Sequence, residues 1–112
     1  SMRDSLKAGR PVTIPPSDTI ADGLRPLSPG RIPFQICAAL LDGVITVSDA
    51  EIAEGVRFLL GRAKVLAEPS GAAALAAMLH GKLEDPPGTV GVILTGGNAD
   101  FEVLARILKR EI

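Results

Sequence analysis

The chain has 112 residues, 46% of them hydrophobic and 22% charged, with a net charge of -1; this fits one soluble domain or a piece of a larger one, and a lone domain of this size buries only about two thirds of its unfolded surface, which serves one core but hardly a deep enclosed active site as well. Lys and Arg are dispersed, Trp and Tyr are absent and the aromatic residues are Phe34, Phe58 and Phe101, so the basic footprint and stacking platforms of a nucleic-acid binder are missing. The single cysteine rules out a disulfide framework within the chain and argues against a zinc cluster; no apolar run approaches the roughly 18 residues of a membrane span and no signal-peptide segment opens the chain, which leaves the cytoplasm as the default compartment.

Ser1-Met2 reads as a protease scar ahead of a start, so the fold argument begins at Arg3. "RDSLKAG" (3–9) reads as the last turns of a helix stopped by Gly9, with Pro11 reinforcing the stop. So short a helix is marginal alone, which points to an N-terminal part outside the sequence. From Pro11 to Gly30, five prolines and little periodicity predict loop, with "VTI" as a short edge strand. "RIPFQICAALLD" (31–42) sets Ile32, Ile36, Ala39 and Leu40 at helical spacing, tolerates Pro33 in the first turn and stops at Gly43. Cys37 in that run reads as a buried structural thiol.

"VITV" (44–47) has the β-branched character of a buried strand. Ser48 to Glu51, "SDAE", has the form of a capping box and opens a helix over about 49–64, with Ile52, Val56, Leu59, Leu60 and Ala63 on one face. Gly55 and Gly61 weaken that helix by about 1 kcal/mol each relative to Ala if exposed. "EPSGAAALAAMLHGK" (68–82) is apolar almost all round, which predicts a buried helix ended by Gly81, with His80 a dipole partner or surface residue at its end. "EDPPG" is a turn, and "TVGVIL" (89–94) has the pattern of a central strand in a covered sheet. "ADFEVLARILKRE" (99–111) predicts an amphipathic helix with Val103, Leu104, Ile107 and Leu108 inward. No internal repeat is present. The order helix, strand, helix, helix, strand, helix argues for an α/β layered architecture, few strands covered by helices. Two strands make a poor sheet, so further strands are expected from sequence outside the chain or from a partner.

In open α/β sheets ligands sit beyond the carboxyl ends of strands, and Thr95-Gly96-Gly97-Asn98 occupies that place ahead of a helix. The glycines let backbone approach a ligand closely, and Thr95 can donate or accept a hydrogen bond. A tight strand-to-helix turn with Asn98 as N-cap explains the same residues. Gly23 can be an ordinary turn glycine, Glu68 a helix-start acid favoured by the dipole, and Lys64 a solvated residue at a helix end.

Taken together, "PPSDTIADGLR" (15–25), "TVSDAEI" (46–52), "EPSGAAALAA" (68–77) and "LTGGNADFEVLA" (94–105) resemble, in order and approximate spacing, the C-terminal third of the threonine/serine dehydratase (ammonia-lyase) and serine racemase family of pyridoxal-phosphate (PLP) enzymes. These are the fold type II PLP enzymes, of tryptophan synthase β-like fold. The resemblance runs from about residue 3 to the end and implies that 3–112 is the C-terminal part of the large PLP-binding domain, incomplete without upstream sequence. It implies that the Thr95 hydroxyl bonds the pyridine nitrogen of the cofactor. Ser is usual there, and Thr adds a methyl group that must fit. A neutral hydroxyl does not hold that nitrogen protonated, so the ring is a weaker electron sink. That suits β-elimination of a hydroxy amino acid to a 2-oxo acid and ammonia. Gly96 and Gly97 clear room for the ring, Gly23 matches a residue whose backbone lies beside the cofactor, and Glu68 matches a carboxylate near the ring and substrate side. Lys64 and Asn98 match nucleotide-effector positions of serine racemases only weakly.

The resemblance also marks what these residues do not contain. The family's Schiff-base lysine, in a Ser-x-Lys-x-Arg-Gly stretch, has no counterpart here, nor do the asparagine loop and the glycine-rich phosphate loop. "RDSLKAG" resembles the segment after the acidic divalent-cation site, and Lys7 on a surface-like helix end is no substitute for the missing lysine. The expectation is therefore no catalytic residue and no metal ligand in this chain, which is inactive unaided and forms part of a homo-oligomeric, cytoplasmic enzyme acting on a small amino acid, without nucleic acid or membrane. The chain stops one helix after Asn98, so the parent resembles the short form without a regulatory domain. A serine racemase is the near alternative, and a free-standing non-catalytic remnant acting by self-association or partner binding is the alternative of another class.

Overall fold

The computed structural model describes residues 1–85 and 88–112, so the "EDPPG" turn lies in part outside the described residues. The chain divides into two compact units, Ser1–Asp18 with Gly23–Ile45, and Thr19–Asp22 with Thr46–Ile112.

In the first unit, helix α1 spans Met2–Ala8 and ends as its sequence dictates, with Gly9 left-handed at φ 68° and its amide donating to the Leu6 carbonyl. Ser5 is buried, and its hydroxyl accepts the Val12 amide at 2.9 Å, which turns the proline-rich segment back along the helix. The "VTI" edge strand does not form; Ile14 instead donates a single backbone bond to Leu27, 2.9 Å. Helix α2, Arg31–Leu40, packs on α1 and stops short of Gly43, because Leu41 is already extended at φ -88°, ψ 135°. The face expected to point inward is open: Ile32, Ile36 and Leu40 are 64%, 53% and 76% exposed, whereas Phe34 is buried and Cys37 is half-buried rather than fully enclosed. A seven-residue neighbour covers one side of a ten-residue helix and leaves the stripe beyond its reach uncovered.

In the second unit the Ser48 box is present in full. The Glu51 amide donates to Ser48 Oγ at 3.3 Å, and the Ser48 amide to Glu51 Oε2 at 2.7 Å. Helix α3, Asp49–Phe58, then widens into a π turn, Leu59–Ala63, closed by Lys64 in the left-handed region. The extra residue per turn shifts the helical phase. Ile52, Val56 and Leu59 are buried as expected, while Leu60 is half-buried and Ala63 is exposed. Helix α4, Pro69–Leu79, lies against α3. A Cβ on Gly55 would stand 3.3 Å from the Ala72 carbonyl oxygen and 3.5 Å from Ala76 Cβ, so this glycine admits α4 rather than merely weakening α3. α4 is buried along one side only: Pro69, Gly71, Ala72 and Ala76 are enclosed, Ala74 and Leu79 exposed.

Helix α5, Phe101–Leu108, is capped by Asp100, whose Oδ1 accepts the amides of Glu102 and Val103 at 2.8 and 3.0 Å. Asn98, expected in that role, stands outside the helix. Ile107 is buried, Val103 and Leu104 are half-buried, and Leu108 is 49% exposed, which corrects its inward assignment. The core joins Ala53, Val56, Leu59, Ala67, Ala72 and Ile107. Arg57 of α3 donates to the Ile107 carbonyl at 2.9 Å, satisfying a helix-end acceptor of α5.

Among the described residues no strand forms. The segments expected as strands, 44–47 and 89–94, have no ladder partner, and without one a strand's amides and carbonyls turn to water or to other chains. Of the expected α/β layering, these residues supply helices.

Two polar contacts tie α3 to the far end of α4: an ion pair of Glu51 with Lys82 at 2.8 Å, and the Glu54 carboxylate against His80 Nε2 at 3.3 Å. The Lys82 ammonium, followed by the Ser48 amide, lowers the Glu51 carboxyl from 4.5 to about 2. A depressed folded-state value stabilises in full above the ordinary pKa, and that contribution is lost as pH falls from 4.5 toward about 2. Glu51→Gln should lower the thermal unfolding midpoint at neutral pH, and its deficit against the parent protein should shrink across that acid window, as unfolding at stepped pH will show.

Candidate functional site

The start of α4 and the turn at 95–97 are built against each other. Glu68 precedes a proline, which favours its extended backbone (φ -67°, ψ 160°), and Pro69 at the first helical position supplies the fixed φ that starts α4. The Glu68 amide donates to the Gly96 carbonyl at 3.2 Å. One turn into α4, Gly71 meets the Thr95 peptide so closely that an added Cβ would lie 2.8 Å from the Thr95 carbonyl carbon and collide with its oxygen. Gly96 is left-handed at φ 74°, and a Cβ there would strike the Glu68 side chain, 3.1 Å from its Cγ and closer to its carboxyl. Gly97 faces the Leu66 carbonyl, at 3.4 Å from a Cβ.

Four of the residues singled out in the sequence, Glu68, Thr95, Gly96 and Gly97, therefore share one contact. Thr95 and both glycines are exposed and Glu68 is half-buried. Among the described residues no hydrogen bond engages the Thr95 hydroxyl. The Glu68 carboxylate lies against the Gly96 backbone, and Thr95, which bears a hydroxyl, is the preceding residue. Such a set can bond a heteroatom and lie flush against a planar ring. Gly71 is the residue that the sequence reading missed. Its signal was present, since a glycine inside an alanine-rich helix costs about 1 kcal/mol relative to Ala and so marks a close approach.

Gly23 lies in the first unit's part of a 3₁₀ turn, Asp22–Leu24, and is exposed. Lys64 bonds the Gly61 carbonyl through its ammonium at 2.7 Å and so closes its own π turn. Lys7 is exposed at the end of α1, and His80 caps α4. No group of three or more His, Cys, Asp or Glu placed to hold a metal exists among the described residues, and no helix among them is long and apolar enough to cross a membrane.

The family of pyridoxal-phosphate dependent enzymes matches residues 1–96, and the chain belongs to that family. Within it, the chain is 36% identical to the L-threonine ammonia-lyase of Thermotoga maritima over 110 residues, covering 98% of this chain and 27% of that enzyme. The solved threonine deaminase of T.th. superposes with a TM-score of 0.82 at 43% identity, over 89% of this chain and 36% of that one. Maize serine racemase superposes with a TM-score of 0.82 at 34% identity, over 99% and 36%. The chain thus spans well under half the length of these relatives. Its neighbours have the fold type II architecture expected from the resemblance, and the family's cofactor is pyridoxal phosphate.

Gly71→Ala should force α4 away from the 95–97 turn, destabilising the protein by about 1–3 kcal/mol as overpacking does. Chemical denaturation will read the loss, and amide shifts confined to Thr95–Gly97 will locate it.

Proposed function

We propose that this chain contributes one side of the cofactor site of a PLP-dependent hydroxy-amino-acid ammonia-lyase, which converts threonine or serine to a 2-oxo acid and ammonia. The observation that supports the reading is the seating of the 95–97 turn on the start of α4, where the Glu68 amide donates to the Gly96 carbonyl and the Glu68 side chain lies against Gly96 in the place a Cβ would need. In this reading the Thr95 hydroxyl would bond the pyridine nitrogen, Gly96 and Gly97 would offer the ring backbone without side chains, and the Glu68 carboxylate would face ring and substrate. PLP, when bound, supplies the electron-withdrawing ring that acidifies the amino-acid Cα–H and allows the β-hydroxyl to leave. The Thr95 hydroxyl is neutral, so it orients the ring without holding a proton on its nitrogen.

The lysine that carries PLP covalently lies, in this proposal, in polypeptide other than residues 1–112, so the chain alone does not turn over. Residues 3–112 are then part of the large PLP-binding domain of a cytoplasmic homo-oligomer. Lys64, occupied with Gly61, and Asn98 have no part in the cofactor contact. A serine racemase is the second reading, favoured by the likeness to the maize enzyme. Both reactions begin at the same Cα proton.

The test is to incubate the PLP-loaded protein containing residues 1–112 with L-threonine and L-serine. Release of 2-oxo acid and ammonia is the expected outcome. D-serine without oxo acid would select the racemase, and absence of both, with no pyridoxal absorbance, would refute the reading. Thr95→Val should weaken PLP binding by about 0.5–1.5 kcal/mol. Unchanged affinity and elimination rate would remove Thr95 from the site.

A further inference from the structure

Thr19–Asp22 is a four-residue segment that belongs to the second unit although the chain on both sides of it belongs to the first. Its attachment is specific. Asp49 Oδ1 accepts the Thr19 hydroxyl in a short hydrogen bond, and Oδ2 accepts the Ile20 amide at 3.1 Å. The Thr19 oxygen in turn accepts the Ala21 amide at 3.2 Å. Ala21, 1% exposed, packs with Ile52 and Ala76. Beyond it, the Ser70 hydroxyl donates to Asp22 Oδ1 at 3.4 Å.

Asp49 is the first residue of α3, where a carboxylate is favoured by the helix dipole. Capping of that helix is already complete without it, since Ser48 and Glu51 satisfy each other's amides. Both Asp49 oxygens are therefore directed at the segment rather than at the helix. The segment ends on Asp22, whose next residue is Gly23, and its partner Ser70 stands between Glu68 and Gly71 in the sequence of α4.

We propose that Asp49 is a positioning residue of the cofactor site: through Thr19 and Ile20 it fixes the segment Thr19–Asp22, which a separate bond from Ser70 to Asp22 joins to the first turn of α4, two residues after Glu68. This rests on the cofactor reading given above. In this role Asp49 touches neither cofactor nor substrate; it determines where the segment Thr19–Asp22 is held beside the first turn of α4.

Asp49→Asn and the near-isosteric Thr19→Val separate this role from general stability, with Glu51→Ala as the control that removes the capping box from the same helix and leaves the segment's bonds intact. Amide hydrogen exchange reads the anchor. Circular dichroism of the bound pyridoxal chromophore and PLP affinity, in the PLP-loaded protein containing residues 1–112, read the site. Asp49→Asn and Thr19→Val should speed exchange at Ile20 and Ala21 by about tenfold or more, as loss of a charge-assisted hydrogen bond does. They should also diminish the chromophore's dichroism and weaken PLP binding, whereas Glu51→Ala lowers the unfolding midpoint with the dichroism unchanged. Unchanged exchange, faster exchange with unaltered dichroism, or an equal change of dichroism in Glu51→Ala would each overturn the proposal. A parent protein without any pyridoxal signal would overturn the cofactor reading and this role with it; the exchange response would still register the anchor, so the two failures are distinguishable.

Discussion

Everything in the second unit depends on backbone touching backbone at the first turn of α4. Gly71 lies against the Thr95 peptide, and on the other side of the helix Gly55 lies against Ala72 and Ala76. Helices ordinarily pack with axes about 8–10 Å apart because side chains stand between them. Here glycine and alanine occupy both contacts, so α4 is a thin element gripped between α3 and the 95–97 turn. Alanines bury little apolar area each, and the cohesion comes from many close atom pairs, individually worth about 0.1–0.2 kcal/mol. A packing of this kind tolerates no added carbon, which is why the geometry at Thr95 is set by residues that have almost no side chain.

Polar contacts then fix the helix ends that this slender packing leaves free. The Ser48–Glu51 box starts α3, Asp100 starts α5, Arg57 closes the end of α5, and Glu51 and Glu54 reach from α3 to Lys82 and His80. Asp49 extends the same logic to a segment without secondary structure of its own. Turns that such contacts hold to rigid helices combine exposure with a defined geometry, as the proposed site requires. Large apolar side chains remain outside this framework, among them Phe101 at 83% and Ile93 at 78% exposure. In a family whose members are some three times longer than this chain, the proposal that further polypeptide completes the fold gives such surfaces a partner.

Legibility in the sequence followed the range of the interaction. The capping box, the Gly9 stop and the start of α4 at Glu68 each involve residues within a few positions of one another, and each stands where it was expected. The cap of α5 shows where local reasoning fails. Asn98 and Asp100 are both good caps two residues apart, and it is Asp100 whose carboxylate accepts the first free amides of the helix, those of Glu102 and Val103. The π turn after Phe58 carries no compositional mark, and Ala63, its last residue, is exposed. Apolar periodicity named the stripe Ile32, Ile36 and Leu40 correctly as a face, but whether that face is covered depends on what lies beside it.

By itself the sequence determined where the helices lie and, through four ordered motifs, the family, and it singled out Thr95, Gly96, Gly97 and Glu68 as candidate site residues. The tertiary structure alone decided that Glu68 and Gly96 touch across 28 positions, that Gly71 governs Thr95, and that Asp49 holds Thr19 and Ile20 from 30 and 29 positions away. The physical reason is that helix propensity and capping are set by a residue and its neighbours within one turn. Close approach and strand pairing need a second surface, and only the folded chain shows which surface arrives.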